Sequence, residues 1–350
     1  TRSTKPILGC ALFSFGENLA IRASNQETSI SSNININSQA KEGHIAIPIG
    51  RLIEITSNLK EEEIEFSLLE NNKVEIKTKS GKFSITGQNY QEFPPTPVMN
   101  ESVSVSLNMK LLSEIIDFTK NSISKDDLKP ALQGVLFKID SSQILGVSTD
   151  GHRLSRIIIK NENEQPREHE IIVPIKFLTL LSSYINKEDQ VELEISENYI
   201  SVSRKNQTIF SRIIKDSYPD YEKVVPLDNN KQLVINRQNL IDGIKRVSIF
   251  SNRSTKQITL KINKTETIIQ TEDAEKAASG KELLQSNFSD DNELKIGFNA
   301  NFILEALNQI NQKDVTIFLN TPLSAAILTE KDEALKKDKL LLLMPIRLND

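Results

Sequence analysis

The densest group of reactive side chains in the sequence is the hexapeptide Thr149-Asp150-Gly151-His152-Arg153-Leu154. A carboxylate and an imidazole two residues apart could act as a general acid/base pair. The same residues also suit a hairpin turn, with Asp150 and Gly151 at its tip and His152 and Arg153 on the surface. We favour the turn because no nucleophile or second carboxylate accompanies the pair. Such a turn could still line a groove for a peptide.

Other motifs that would indicate an enzyme are missing from the sequence. None of the 12 glycines forms a GxxxxGK or GxGxxG pattern, which argues against an ATPase or a dehydrogenase. The three histidines are scattered along the chain, so they do not suggest a zinc site. Cys10 lies inside a predicted strand, where a small core residue is expected. The sequence therefore predicts no metal or thiol enzyme and no cofactor.

The end of the chain is strongly apolar. Residues 341–348 read LLLMPIRL, which is typical of a final core strand. Pro345 suits an edge strand or a strand that leaves the sheet, since proline cannot donate to a ladder. In that arrangement Met344, Ile346 and Leu348 would lie beside a groove.

The elements that must position these residues come from an internal repeat. Residues 5–13 (KPILGCALF) return as residues 129–137 (KPALQGVLF), 124 residues later. Residues 45–49 (IAIPI) return as residues 171–175 (IIVPI), and Phe93-Pro94 returns as Tyr218-Pro219, at offsets of 126 and 125 residues. Three ordered matches at nearly one offset indicate a repeated domain.

A third copy follows in phase. Residues 259–262 lie 123 residues after 136–139, and Met344-Pro345 lies 126 residues after Tyr218-Pro219. Proline-rich stretches mark the boundaries. We predict three domains, at residues 1–97, 98–226 and 227–350, called here the first, second and third copies.

Within the second copy, alternating apolar residues at 103–107 predict a strand, and Asn108 is a candidate cap for a helix that runs to residue 119. Strands are expected at 132–139 and 144–148, a second helix at 177–185, and strands at 191–195, 200–202 and near 209. The third copy predicts a helix capped by Asn236 and a second helix at 302–310. The fold class is therefore α+β, with two helices packed on antiparallel sheet in each copy.

The first copy departs from this plan. The residues that would match the helix at 109–122 fall before Thr1, so we expect this copy to lack its N-terminal strand and helix through a truncation.

The composition limits the classes of protein to which the chain can belong. The chain has 350 residues, 43 Lys and Arg against 47 Asp and Glu, 38% hydrophobic residues and one Cys. These values suit two or three globular domains and argue against collagen-like, disulfide-scaffold and disordered classes. A net charge of -4 still permits a basic face. One cysteine, no signal peptide and no run of roughly 20 apolar residues predict a soluble cytoplasmic protein.

Taken together, six motifs make the chain resemble the bacterial DNA polymerase III beta subunit family, the sliding clamps, over essentially its whole length. They are Pro6-Ile7-Leu8, Gly134-Val135-Leu136-Phe137, the hexapeptide at 149–154, Tyr218-Pro219-Asp220-Tyr221, Ile296-Gly297-Phe298-Asn299 and Met344-Pro345-Ile346-Arg347-Leu348. The resemblance implies the DNA clamp fold, a head-to-tail homodimeric ring with helices facing the hole, and no catalytic residues. The ring would encircle double-stranded DNA, independently of sequence, and confer processivity on the polymerase.

The resemblance also implies a groove for short apolar peptides between the second and third domains. By motif it comprises Leu132, Thr149, Gly151, His152, Arg153, Leu154, Pro219, Val224, Asn299, Phe302, Leu323, Met344, Pro345, Ile346, Arg347 and Leu348. The partners would be the DNA polymerase III alpha subunit, the delta subunit of the clamp loader, repair polymerases, mismatch repair proteins and ligase. The sequence departs from better-known members at Lys223, Thr255 and Ala325.

Two further sets of residues follow. Basic residues on helices ordinarily form a solvent-exposed face, but in a clamp they would bind DNA phosphates. The candidates are Arg2, Arg51, Lys176 and Arg246. Apolar residues near strand edges would form the dimer joint; they are Phe83, Ile85, Ile249 and Phe250. Two alternatives to a clamp remain: an enzyme that uses Asp150 and His152, and a scaffold built from repeats that forms no ring.

Overall fold

A computed structural model describes residues 5–37, 42–60, 63–160, 168–186, 190–332 and 336–348. Its elements repeat from copy to copy, with more strands between the two helices of a copy than the sequence predicts. The second and third copies each have a strand, a helix, four strands, a second helix and three strands.

The strands and helices of the first copy are β1 (Cys10–Phe15), β2 (Asn18–Ser24), β3 (Thr28–Asn35), β4 (Gly43–Pro48), α1 (Ile49–Thr56), β5 (Glu65–Leu68), β6 (Lys73–Lys77) and β7 (Lys82–Thr86). Those of the second copy are β8 (Val103–Asn108), α2 (Met109–Thr119), β9 (Gly134–Ile139), β10 (Gln143–Thr149), β11 (Arg153–Lys160), β12 (His169–Pro174), α3 (Ile175–Tyr184), β13 (Gln190–Ile195), β14 (Tyr199–Arg204) and β15 (Gln207–Arg212). Those of the third copy are β16 (Lys231–Asn236), α4 (Arg237–Ser248), β17 (Gln257–Ile262), β18 (Glu266–Asp273), β19 (Ala278–Phe288), β20 (Leu294–Asn299), α5 (Ala300–Asn308), β21 (Asp314–Leu319), β22 (Ala326–Asp332) and β23 (Lys337–Leu343).

Local chemistry explains where these elements begin. The Asn108 side chain accepts a hydrogen bond from the backbone of Lys110 at 2.7 Å, and Asn236 accepts one from Asn239 at 3.0 Å. Both asparagines therefore cap helices, as predicted. The strand predicted from residue 132 begins later, at Gly134, because Pro130–Gln133 forms a 3-10 turn.

The chain forms two compact units. The first comprises residues 1–110 and 176–213, and the second comprises residues 111–175 and 214–350. The first unit holds an eight-stranded sheet in the order β4-β1-β2-β3-β15-β14-β13-β8 and a three-stranded sheet β5-β6-β7. The second unit holds a twelve-stranded sheet in the order β12-β9-β10-β11-β23-β22-β21-β16-β19-β18-β17-β20.

These units do not coincide with the predicted copies, because the sheets run across the copy boundaries. Strand β3 of the first copy pairs antiparallel with β15 of the second, and β11 of the second pairs antiparallel with β23 of the third. The second copy therefore contributes strands to both units. The boundaries near residues 97 and 226 stay a prediction.

Helix α4 shows how the helices bury their apolar face. Leu240 and Ile244 are fully buried, and a Cβ at Gly243 would lie 2.8 Å from Ile269 of β18. Glycine thus lets the helix approach the sheet closely, and each buried Leu or Ile contributes about 1.5–3 kcal/mol.

The first copy has a less complete helical layer. Helix α1 has no buried residue, and Ile53 on it is 57% exposed. Among the described residues of the first copy no second helix packs against α1, whereas α4 and α5 contact each other in the third copy.

Candidate functional site

The hexapeptide at 149–154 forms the hairpin between β10 and β11 in the second unit. The Asp150 carboxylate accepts hydrogen bonds from the backbone amides of His152 and Arg153 at 2.9 and 3.0 Å. Gly151 has a φ of +91°, a conformation that favours glycine. The Thr149 hydroxyl closes the turn by donating to the Arg153 carbonyl oxygen at 2.7 Å. Asp150 is engaged by the turn and by Arg153, an arrangement that supports the turn interpretation over an acid/base pair.

Arg153 is not the surface residue that the turn interpretation predicts, because its side chain is only 13% exposed. Its Nε donates to Asp150 Oδ2 at 3.0 Å and its Nη1 to Glu305 Oε2 of α5 at 2.5 Å. The guanidinium carbon lies 4.2 Å from the centre of the Phe302 ring, a cation–π distance. Arg153 thus ties the second copy to the third.

Two more aromatic and polar contacts define this wall of the site. The His152 ring stacks on Phe302 with ring centres 6.5 Å apart. Asn299 caps α5 by accepting from the Asn301 and Phe302 amides at 2.9 and 3.4 Å, and its amide donates to the Thr255 carbonyl oxygen at 3.0 Å. The cap therefore fixes the first turn of α5, which carries Phe302.

The chain segment after β23 forms the next wall. The Met344 amide donates to the His152 carbonyl oxygen at 2.8 Å, and the Ile346 amide donates to the Gly297 carbonyl oxygen at 2.8 Å. A Cβ on Gly297 would lie 2.7 Å from both the Ile346 carbonyl oxygen and Leu348, so only glycine admits the segment there. Residues 341–343 are buried, whereas Met344 is 42% exposed. The prediction that the segment leaves the core at Pro345 is confirmed to within one residue.

Two further residues of the predicted groove, Val224 and Leu323, are exposed and apolar. Val224 is 55% exposed and Leu323 is 64% exposed. The Asn229 side chain holds the two loops together by donating to the Phe318 and Ala325 carbonyl oxygens at 3.0 and 2.8 Å. Leu132 is half-buried, and Pro219, Arg347, Gly151 and His152 are exposed.

The floor below these walls is a core cluster. It contains Leu154, Tyr221, Ala325 and Leu342, with Tyr218 packed against it. Leu154 was expected to line the groove, but it is 1% exposed and supports the floor from beneath. Burial also raises the pKa of the Tyr218 phenol above its ordinary value, so Tyr218 stays neutral at any physiological pH.

Of the three departures from better-known members, Lys223 and Thr255 are exposed and Ala325 is buried. Lys223 pairs with Asp220 at 2.8 Å, with both side chains largely exposed, while Ala325 is 7% exposed in the floor. Thr255 uses its backbone oxygen to hold Asn299.

Sequence reasoning missed Glu305 and the partial burial of Tyr218. Glu305 carries no motif and lies 152 residues from Arg153 in the chain. Tyr218 stands in a motif, but the side chains that it packs against come from distant parts of the chain.

The three predicted DNA-facing residues that the structure describes lie on helices, as expected. Arg51 is in the first turn of α1 and is exposed, and Lys176, in the first turn of α3, pairs with Glu27 at 3.4 Å. Arg246, in the last turn of α4, donates to both oxygens of Glu282 at 2.9 and 2.5 Å, and these bonds hold the pKa of Glu282 below its usual range. Arg2 lies outside the described residues.

The predicted dimer residues divide into exposed and buried ones. Phe83 is 37%, Ile249 76% and Phe250 43% exposed. Ile85 is 2% exposed and belongs to the core of the first unit with Val74 and Ile76, so the expectation that it faces a partner is wrong. Phe83 and Ile85 lie on the same face of β7, but the first unit covers that face at Ile85 and leaves Phe83 partly exposed.

Two strand edges near these residues are open within the described chain. Strand β7 pairs only with β6. Residues 278–285 of β19 pair with β18 on one side, and β16 covers only residues 286–288 on the other. Phe250 packs on the face of this strand at Gly280, since a Cβ on Gly280 would be 2.8 Å from its ring.

Among the described residues, no three His, Cys, Asp or Glu side chains are grouped so that they could hold a metal ion. None of the described helices is long and apolar enough to span a bilayer.

Comparison with known proteins matches three family models in succession. They are the DNA polymerase III beta subunit N-terminal domain at residues 1–97, its central domain at 106–220 and its C-terminal domain at 222–347. The beta sliding clamp of Pseudomonas aeruginosa is 26% identical over 349 residues, covering 99% of this chain and 94% of that protein. The beta sliding clamp of Rickettsia felis is 27% identical, covering 94% and 89%.

Solved structures give the same result. The crystal structure of the DNA polymerase III subunit beta from Pseudomonas aeruginosa matches with a TM-score of 0.92 at 25% identity, covering 99% of this chain and 94% of that one. A putative DNA polymerase III beta subunit from Eubacterium rectale matches with a TM-score of 0.90 at 26% identity and the same coverage.

Proposed function

The chain belongs to the DNA polymerase III beta subunit family, the DNA sliding clamps, and we propose that two copies close head to tail into a ring around duplex DNA. Its function is that of a clamp in DNA replication. The observation that carries the ring is the pair of open strand edges, β7 in the first unit and β19 in the second. Open edges with apolar neighbours are a liability until another chain covers them.

The proposed joint pairs β7 of one subunit with β19 of its partner. The same geometry joins the copies within the chain, where β15 pairs with β3 and β23 pairs with β11. In the order of elements, β7 corresponds to β15 and β23, and β19 corresponds to β3 and β11. One chain therefore makes this type of joint twice internally and would make it twice more with its partner.

The groove of the second unit is the proposed docking place for the proteins that work on DNA. Exposed Val224, Leu323 and Met344 surround a floor of buried apolar residues. An apolar side chain that enters such a site contributes most of the binding free energy. The proposed occupants are short apolar peptides ending in Leu or Phe, on the polymerase alpha subunit, the clamp loader delta subunit, repair polymerases, mismatch repair proteins and ligase.

DNA contact is proposed to be loose and directed at phosphates. The candidate contacts are Arg51, Lys176 and Arg246, together with Arg2. Exposed ion pairs such as Lys176 with Glu27 are weak, so a phosphate can replace the carboxylate at little cost. The clamp itself would catalyse no reaction, and it would act in the cytoplasm, where the bacterial chromosome lies.

Retention on DNA tests the ring directly. After incubation with a clamp loader and ATP, the protein should stay on nicked circular DNA through gel filtration and leave when the circle is cut. Equal loss from circular and linear DNA would contradict a closed ring.

A further inference from the structure

Arg153 is one of the residues of the proposed groove, but its guanidinium has little charge to offer a partner. Its Nε is bonded to Asp150 and its Nη1 to Glu305, at 3.0 and 2.5 Å. One face of the group lies on the Phe302 ring at 4.2 Å. The side chain is 13% exposed, so its remaining N–H groups have little access to solvent.

The balance of charge around Arg153 is negative, because one cation faces two carboxylates. The two carboxylates differ in their other hydrogen bonds. Asp150 also accepts two backbone amides of the turn, so it is fixed by the hairpin. For Glu305, 42% of the side chain is exposed and Arg153 is its hydrogen-bond partner in the described structure. Glu305 is therefore the group whose charge can change without rebuilding the turn.

We propose that Glu305 determines the charge preference of the groove, because by neutralising Arg153 it makes the site select an uncharged, apolar peptide side chain beside Phe302. This inference rests on the proposed peptide-binding function of the groove. A carboxylate on the peptide would meet the uncompensated negative charge of Asp150 and Glu305, and repulsion of the wrong partner is a common source of specificity. Without the Glu305 charge, the positive charge of Arg153 is no longer exceeded by the two carboxylates, so the site can tolerate an acidic residue.

The effects of other cations near the groove on peptide binding can be distinguished from that of Arg153. Lys223 is paired with Asp220 at the exposed rim, at 2.8 Å. Arg347 is exposed on the segment after Met344. An effect that requires Arg153 can therefore be assigned by a second substitution at that residue.

The test is an aspartate scan of one apolar peptide ending in Leu-Phe. Each position is replaced in turn by Asp and by its neutral isostere Asn, and the dissociation constants are measured by calorimetry. The proteins are the wild type, Glu305→Gln, the double variant Glu305→Gln with Arg153→Met, and Glu293→Gln. Glu293 pairs with Lys261 at 3.1 Å outside the groove and serves as the matched control.

In the wild type and in Glu293→Gln, no position should favour Asp over Asn. In Glu305→Gln, one position should favour Asp by about tenfold, less so in high salt, and the double variant should lose this gain. A carboxylate with a merely structural role would change all peptides alike and leave the Asp-to-Asn ratio unmoved.

Unchanged Asp-to-Asn ratios in Glu305→Gln, with the parent peptide still bound, would overturn the inference alone. A wild type that already favours Asp at one position would overturn it as well. Failure of the parent peptide to bind the wild type would reject the groove itself, and the inference with it.

Discussion

The carbonyl oxygens of His152 and Glu27 have the same role in the two units. His152 accepts the amide of Met344 at 2.8 Å, and Glu27 accepts the amide of Arg212 at 2.9 Å. Each bond ties the last strand of one copy to a turn of the copy before it. The surroundings differ: His152 stacks on Phe302, whereas the Glu27 carboxylate pairs with Lys176 at 3.4 Å. Phe177, the repeat counterpart of Phe302, is fully buried.

We therefore expect one peptide to bind per chain, although the backbone hydrogen bond between a turn and the last strand of the next copy occurs twice. Calorimetric titration with an apolar peptide should give a stoichiometry of one per subunit, because Glu27 is paired with Lys176 and the neighbouring Phe177 is buried, so it cannot take the place of Phe302 in a groove. Two equivalent sites per subunit would contradict this interpretation of the repeat.

Removal of residues 344–350 should abolish peptide binding while the ring still assembles. The segment supplies Met344 and is held by backbone bonds to His152 and Gly297, whereas β23 ends before it, at Leu343. Peptide affinity is measured by calorimetry and assembly by sedimentation. Val234→Ala, which trims a comparably exposed apolar residue on β16, is the control and should bind normally. Unchanged affinity of the truncated chain would reject the groove.

Charged residues at the proposed joint should open the ring without unfolding the chain. Phe83→Asp and Ile249→Asp each place a charge on an exposed side chain, so the dimer should weaken while the melting temperature stays the same. Full burial of Phe83, Ile249 and Phe250 in the joint would stabilise the dimer by about 1.5–3 kcal/mol for each residue, and the loss of association entropy partly offsets this gain. Sedimentation at low micromolar concentration decides the matter, and intact dimers of both variants would count against the joint.

Ile85→Asp should behave in the opposite way. This residue is 2% exposed, so an aspartate would bury a charge without a partner and should destabilise the first unit by more than about 3 kcal/mol. Chemical denaturation should show the loss already in the monomer. A variant of normal stability that fails only to dimerise would mean that Ile85 faces a partner after all.

DNA binding should depend on salt and not on base sequence. Replacing Arg51, Lys176 and Arg246 by alanine should lower the affinity and reduce the slope of log K against log salt by about 0.9 for each phosphate that the variant no longer neutralises. Glu282→Gln should act in the reverse direction, because it releases Arg246 from its carboxylate partner. Fluorescence anisotropy with two unrelated duplexes measures both effects, and a strong preference for one duplex would refute the proposal.

The ion pair of Asp290 with Lys231 should make the second unit sensitive to acid. The hydrogen bond from Lys231 lowers the pKa of Asp290 from 3.8 to about 2. Because the folded value is the lower one, the stabilisation is present above pH 4 and is lost as the pH falls toward 2. The difference in melting temperature between the wild type and Asp290→Asn should therefore shrink over that interval. Asp291→Asn, whose carboxylate pairs with Lys264 with both side chains mostly exposed, should change little at any pH.

The sequence by itself determined the repeat, the two helices of each of the second and third copies, most of the strands, and the caps at Asn108 and Asn236. It also determined the Asp150-Gly151 turn and the departure of the chain near Pro345. These features depend on residues that are close in the chain: apolar periodicity, a side chain within reach of the next amides, a glycine at positive φ.

Only the tertiary structure decided which side chains meet. From the sequence, Arg153 is expected on the surface, but α5 places Glu305 and Phe302 against it. Arg246 is expected to be a free cation, but β19 brings Glu282 to it. Ile85 reads as an edge residue until Val74 and Ile76 cover it. Local patterns fix backbone conformation, but burial and charge pairing depend on atoms that folding brings together from distant parts of the chain.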